Sequence, residues 1–452
     1  MSIPTLEFNS PVDIDQVTTP WKLRPQPKYV FTHANVIDPL NGDIQYDVTV
    51  VLEGGKISSV GAEHEQDQQE QYDIKLDLDG RFIVPGLWDC HVHLVAVQGC
   101  TTFEQILNLD PSTSLLRQPE VAVAMLDRGF TTVRDCGGAL LPLKLALEQG
   151  IHPGPRLFIA GRQLSQSGGC TDKRGPDDDS ICCGGAKQGA CRTVDGVPEC
   201  LKFAREELRL GSDFIKIMAG GGVSSPRTRL NDLEFTEDEI RAITTVASNA
   251  GTFVTAHAYT PAVIKQAVNC GVKGIEHGNM IDKPTAELMA RNGVYLTPTL
   301  AGYAAALIPE LSGFVAPESR AKLEEAISTG LRALEIAKEA GVTICFGTDL
   351  MGPLHFAQTK EFQIRKSVQS ALEILQSATV NAARMMGRED DIGRIRPGFL
   401  ADFLILNANP LNDITVLDRP EEHLLAVCKA GRIVSSRWSK LRVDSRRPLE
   451  IE

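Results

Sequence analysis

The chain has 452 residues, 42% of them hydrophobic and 23% charged, which is ordinary for a soluble globular protein and enough for one large domain with an appendage. A formal net charge of −12 argues against nucleic acid or an anionic membrane as a partner, because phosphate surfaces recruit basic patches. Met1 to Pro25 has no basic stretch followed by an apolar one, and no window approaches the length of a membrane span, so the chain reads as cytoplasmic.

In chain order, residues 1–28 carry no hydrophobic period and read as an arm over the surface. Strand-and-turn texture follows: Tyr29–Ile37, a turn at Pro39-Leu40-Asn41-Gly42, Asp47–Glu53, a turn at Gly54-Gly55, Lys56–Val60 and Ile74–Leu78, an antiparallel pattern interrupted by a solvated loop at 61–70. From Phe82 the texture changes to apolar strands alternating with amphipathic helices. The predicted strands are Phe82–His93, Thr131–Asp135, Arg156–Ala160, Phe214–Ala219, Phe253–Ala258, Gly274–His277, Val294–Pro298 and Thr343–Asp349. Between them, Thr236 with Glu239 forms a capping box for a helix ending near Gly251, and Thr260-Pro261 opens another that stops at Cys270-Gly271. Eight apolar strands each followed by a helix predict an α/β fold, a (β/α)8 TIM-type barrel over residues 85–387. Beyond Gly387 the strand pattern returns in Gly393–Pro397, Ala401–Leu406, Leu424–Lys429 and Arg432–Val434. A small β-sandwich built from both chain ends, residues 29–84 and 388–440, is the expected second domain.

Active-site groups of a barrel sit at the C-terminal ends of its strands. His91 and His93 end the first predicted strand, Lys216 lies in the fourth, His257 ends the fifth, His277 the sixth and Asp349 the eighth. Only nine histidines occur in the chain, so four at strand ends with a lysine and an aspartate in matching places form a pattern rather than a scatter. Imidazoles and carboxylates suit a divalent metal such as zinc, and two such ions can share one hydroxide and hold a substrate carbonyl. A buried lysine can lose its proton and take up CO2 as a carbamate.

Pro85-Gly86-Leu87 through His93, Ile215-Lys216-Ile217-Met218 with Gly220-Gly221-Gly222, Ala256-His257-Ala258-Tyr259, Ile275-Glu276-His277-Gly278, Gly347-Thr348-Asp349 and Pro397-Gly398 before Ala401-Asp402 together resemble the amidohydrolase superfamily. The branch they are most similar to contains Xaa-Pro dipeptidases, related carboxypeptidases, ochratoxin-type amidases and, more distantly, imidazolonepropionase. The resemblance implies His91, His93 and Asp349 on one metal ion, His257 and His277 on a second, zinc being expected for both, and a carboxylated Lys216 bridging them. It further implies a bridging hydroxide that attacks an amide carbon of a dipeptide or N-acyl amino acid, with Asp349 taking the proton and delivering it to the leaving amine. Tyr259 would bind the substrate's α-carboxylate, or else serve as a packing aromatic. Arg227 is a further carboxylate clamp or an idle loop arginine, and His355 lines the pocket or lies on the surface. The small-molecule substrate could instead be a cyclic or xenobiotic amide, urea or carbamate, or the chain could be a non-catalytic scaffold on the same fold. A homo-oligomer is expected.

One departure bears on substrate. Relatives often carry Gly-Gly-His-Gly-Asp after the third strand, where this chain reads Gly168-Gly169-Cys170-Thr171-Asp172, and a thiol is a poor donor. The surrounding 166–200, with Cys170, Cys182, Cys183, Cys191 and Cys200, fits no standard zinc spacing and is expected to form a lid over the barrel mouth.

Overall fold

The computed structural model describes residues 14–23, 25–62, 72–172, 174, 190–225 and 227–444; the first part of the predicted arm, most of the 61–70 loop, and Cys182 and Cys183 of the predicted lid lie outside them. Strands from both ends of the sequence pair into one eight-stranded sheet. Its order is Arg432–Ser436, Leu424–Lys429, Phe403–Leu406, Phe82–Pro85, Tyr29–Asp38, Asp43–Glu53, Lys56–Gly61, with Ile74–Asp77 added to Tyr29–Asp38.

One expectation changes here. The sheet is mixed rather than antiparallel, its strands pairing in one continuous order. The difference traces to Tyr29–Asp38, which is interrupted between Phe31 and Ala34 and again between Ala34 and Val36, with His33 left-handed at φ +51. A bulge bends a strand and breaks its ladder. The half before it pairs in parallel with Ile74–Asp77 and the half after it in parallel with Phe82–Pro85, so one strand serves several partners. Gly393–Pro397, expected as a strand, is a turn region: Gly393 takes φ +91 and Arg394 is drawn aside to an ion pair with Asp38.

The long strand expected at Phe82–His93 divides at Gly86. Phe82–Pro85 stays in the eight-stranded sheet, while Leu87–Val92 opens a parallel sheet with Phe130–Asp135 and Arg156–Ile159. A Cβ on Gly86 would lie 2.1 Å from Thr131 Oγ1, so only glycine lets the chain pass between the two sheets here.

A second parallel sheet runs Cys191–Thr193, Gln163–Ser165, Ile215–Met218, Val254–Ala258, Gly274–His277, Tyr295–Thr297. Its first two short strands had no period long enough to read from sequence. The segment 343–349 is not a full strand: it makes a single parallel bridge, Ile344 with Leu296, because the Phe346 amide turns away to Ser377 and Asp349 is left-handed at φ +52. Backbone hydrogen bonds cross both gaps between the parallel sheets, Cys90 N to Phe346 O and Asp349 N to His91 O at 2.8 Å each at one, and Asp213 N to Ile159 O at 2.8 Å at the other.

Ile215, Ile217, Val254, Ala256 and Ile275 are buried in the core shared with the flanking helices. Strands covered on both sides read as near-continuous apolar runs, so a lysine or histidine within them stands out. The helices begin where their caps predict: Thr236 and Glu239 close the capping box of Glu237–Asn249, and Pro261 opens Pro261–Asn269. No helix among the described residues is long and apolar enough to cross a membrane.

Candidate active site and metal centre

His91, His93, Lys216, His257, His277 and Asp349 line a single cavity of about 120 Å³, together with Tyr259. Residues far apart in sequence converge because His91, His257 and His277 lie toward the C-terminal ends of parallel strands, His93 just beyond one, Lys216 within the neighbouring strand and Asp349 at the end of segment 343–349. Met218 pairs in register with His257, and Ala258 with His277. The imidazole of His91 lies 5.3 Å from that of His93 and 5.0 Å from that of His277, and His257 lies 4.5 Å from His277, measured between ring centroids.

Hydrogen bonds fix two of the tautomers. His91 Nδ1 lies 2.8 Å from Glu276 Oε2 and His93 Nδ1 lies 2.8 Å from the Gly137 carbonyl oxygen. Both partners can only accept, so each histidine carries its proton on Nδ1 and turns the Nε2 lone pair inward. Those nitrogens meet Asp349 Oδ1 at 3.5 and 3.3 Å, and that oxygen is buried without a hydrogen-bond partner among the described residues. Acceptors facing one another in a dry pocket need positive charge between them.

The electrostatics agree with that demand. Burial, and then the nearby Lys216 ammonium, push His91 down to about 4 and His257 to about 3, and burial with the neighbouring imidazoles lowers His277 well below its ordinary value. These rings are therefore neutral at pH 7, the form that coordinates metals. Burial opposes ionisation of Asp349, yet His91, His93 and Lys216 outweigh it and hold the carboxyl below its usual range. Lys216 is 1% exposed, and no carboxylate among the described residues lies within ion-pair distance of its ammonium, so it is not a mouth lysine neutralised by an acid. Neutral His91, His257 and His277, the ionised Asp349, the neighbouring His93, whose pKa that carboxylate raises against the effect of burial, and the buried Lys216 form a set of groups that suits a divalent cation.

His277, Thr299 and Asp349 all take left-handed backbone, at φ +74, +48 and +52. Such conformations cost about 1–3 kcal/mol each in a non-glycine residue and gather where geometry matters more than stability. At His277 the consequence is visible: adjacent strand residues ordinarily point to opposite faces, yet Glu276 and His277 both reach His91.

Several supporting groups were not singled out from sequence. Glu276 is fully buried, holds His91, accepts from Thr255, and pairs with the fully buried Arg134, whose Nε donates to the Cys90 carbonyl. The guanidinium and His91 hold the Glu276 carboxyl well below its usual range despite burial. Asp89 joins the first strand to the last segment, accepting from Thr348 Oγ1 at 2.6 Å and Gln358 Nε2 at 2.9 Å. Tyr303 lies 2.8 Å from His277 Nδ1, 3.2 Å from Thr299 Oγ1 and 2.9 Å from the Tyr259 hydroxyl. His277 Nδ1 also lies 2.7 Å from Thr299 Oγ1; with Nδ1 donating to this pair of hydroxyls and Tyr303 donating to Tyr259, His277 Nε2 is free to coordinate and the Tyr259 hydroxyl can donate into the cavity. The signal available in sequence was an acid in two of the three histidine-bearing runs, Asp89 before His91 and Glu276 before His277.

The substrate-side residues are placed unequally. Tyr259 lines the cavity, its ring stacked on His277 at 5.0 Å. Arg227 is exposed and is not among the lining residues. His355 is buried behind the wall, where its Nε2 bonds the Ala96 carbonyl at 2.8 Å, and burial lowers it to about 4. Cys170 lines the cavity, its amide donating to Glu234 Oε1 at 2.7 Å, and burial raises Glu234 to about 7. Cys191 also lines the cavity and Cys200 is buried in the core, both unbridged.

Comparison with known proteins gives the same picture of kinship. The family described as amidohydrolase matches residues 82–434. A crystal structure of a prolidase complexed with N-methylphosphonate-L-proline is 38% identical, superposes with a TM-score of 0.86, and covers 91% of this chain and 100% of its own. A Xaa-Pro dipeptidase with methionine bound in its active site is 29% identical at a TM-score of 0.80, covering 90% of this chain and 99% of its own. Ochratoxinase of Aspergillus niger is 29% identical over 417 residues, 90% of this chain and 86% of that protein.

Proposed function

The chain belongs to the amidohydrolase family and is a hydrolase acting on carbon–nitrogen bonds, and on that premise we propose that it uses two divalent metal ions, zinc by the chemistry of the donors, to cleave the amide bond of a dipeptide or N-acyl amino acid. The observation that carries the reading is the inward-facing set of acceptors, His91 and His93 Nε2 against the unpartnered Asp349 Oδ1. In this reading the two parallel sheets and segment 343–349 act as one closed (β/α)8 barrel. His91, His93 and Asp349 would hold one ion, His257 and His277 the other, and Lys216, as a carbamate, would lie between them. When bound, such ions lower the pKa of water and polarise a carbonyl.

The chain's own residues do the rest. Asp349 accepts the proton of the attacking water as oxygen adds to the amide carbon, and delivers it to the departing nitrogen as the carbon–nitrogen bond breaks. The products are a carboxylic acid and an amine, so atoms and charge balance. Glu276, Arg134 and Asp89 keep His91 and the last segment in position, and the Tyr303 hydroxyl orients His277 and Tyr259. Tyr259 donates to the substrate's α-carboxylate.

The test is a panel of Xaa-Pro dipeptides, N-acyl amino acids and their C-terminal amides, assayed with the metal-loaded protein and its Tyr259→Phe variant. A hydrogen bond to a charged group is worth about 1.5–3 kcal/mol, so Tyr259→Phe should raise KM by about 10-fold or more for substrates with a free carboxylate and leave the amides little changed. Equal effects on both would mean that Tyr259 only packs against His277. Turnover confined to cyclic amides, ureas or carbamates would contradict the peptide-like substrate.

A further inference from the structure

We infer that the cavity carries a preformed apolar subsite, built by the short helix Phe103–Asn108, that takes a compact aliphatic or aromatic group on the acyl side of the scissile amide; the assignment to the acyl side rests on the function proposed above. Phe103, Ile106 and Leu107 all line the cavity. They stand at i, i+3 and i+4, so they form one face of the helix, and the intervening Glu104 and Gln105 are exposed. Val95 and Ala96, from the chain just before the helix, and Met351, just after Asp349, add apolar side chains to the same lining. Phe103 and Leu107 are only half-buried, although they face inward.

The helix is fixed in this position. Its Thr102 N-cap accepts from the Gln105 amide at 3.2 Å, and the Phe103 amide donates to the Phe314 carbonyl at 2.8 Å. The Phe103 ring meets the Phe314 ring edge-on at 6.2 Å. Ile106 lies against Gly352, where an added Cβ would come within 2.6 Å of its Cδ1, and the Gly352 amide is tied to the Ala96 carbonyl at 2.8 Å. A six-residue helix does not hold itself together in water, so these anchors are what keep the apolar face over the cavity.

Position assigns the side of the substrate. The wall belongs to the loops that follow Leu87–Val92 and Asp349, whereas Tyr259 follows Val254–Ala258 in the other parallel sheet. With a carboxylate held at Tyr259 and the amide carbon at the histidines, the acyl substituent is assigned to Phe103 and Leu107, the half-buried residues of the wall, while Ile106 belongs to the same apolar cluster as Tyr259. Among the described lining residues Lys216 is the only lysine or arginine, so nothing there would welcome a charged side chain.

The experiment has a kinetic and a binding arm. With metal-loaded protein, kcat/KM is measured for N-acetyl, N-isovaleryl, N-benzoyl and N-succinyl derivatives of one amino acid, in the wild type and in Leu107→Asn and Phe103→Ala, with thermal melts to show that the variants fold. In parallel, equilibrium binding of acetamide, isovaleramide and benzamide is measured. Each buried methylene contributes about fourfold, so the isovaleryl to acetyl ratio should exceed about 10 in the wild type, with succinyl weakest, and both variants should collapse that ratio. The amides should tighten along the same series. A flat binding series, or a ratio that both folded variants retain, overturns the subsite. A binding gradient without hydrolysis of any derivative upholds the subsite and instead removes the proposed reaction.

Discussion

Asp349→Asn should lower kcat by about 10²–10⁴-fold while the fold survives. The substitution keeps the size of the side chain and one carbonyl oxygen, and removes only its ability to take a proton from the attacking water and return it to the leaving nitrogen. In the structure that carboxylate is held ionised by His91, His93 and Lys216 against the cost of burial, and its Oδ1 has no hydrogen-bond partner among the described residues. An unpartnered buried carboxylate oxygen is expensive, which argues that its place is fixed by chemistry rather than by stability. Because loss of metal would mimic loss of the base, the variant's metal content is measured beside its rate. Full metal with wild-type turnover on any identified substrate would remove Asp349 from the mechanism.

Lys216→Met should cost about 10³-fold in rate together with bound metal, since in the proposed centre Lys216 would be a ligand between two ions and would support several kcal/mol of transition-state stabilisation. Methionine fits the same slot and is at home in an apolar strand, but it cannot take up CO2. The same substitution separates the alternative cleanly. If Lys216 were merely a buried cation, replacing it with an apolar side chain of similar size would be neutral or stabilising, and activity would remain. A variant that melts at or above the wild-type temperature yet has lost metal and turnover is the expected result; one that keeps both would return Lys216 to a structural role.

How much of this was readable before the structure depended on contrast and range. His91, His93, Lys216, His257, His277 and Asp349 were legible because each polar residue sits in or at the end of an apolar run buried on both sides, where chance polarity is rare. Their supporters were not. Arg134 and Glu276 are 142 residues apart and their pairing depends on two strands meeting across the interior, and Tyr303 lies in a helix whose spacing gives no hint that it reaches His277. Loops were the least legible: Arg227 and His355 follow the catalytic strands closely in sequence, yet one faces solvent and the other is buried behind the wall. The sheet at the chain ends was legible in its strands but not in its pairing, since the bulge around His33 that lets Tyr29–Asp38 change partners leaves no periodic trace. Nor does hydrophobicity mark the change of sheet at Gly86, which is set by the nearness of Thr131.

The most direct measurement of the central claim is elemental analysis of protein purified without chelator, combined with mass analysis of the peptide containing Lys216 under conditions that preserve a carbamate. The account predicts about two divalent ions per chain and a mass increase of one CO2 on Lys216. A reproducible single ion with Lys216 unmodified would contradict it.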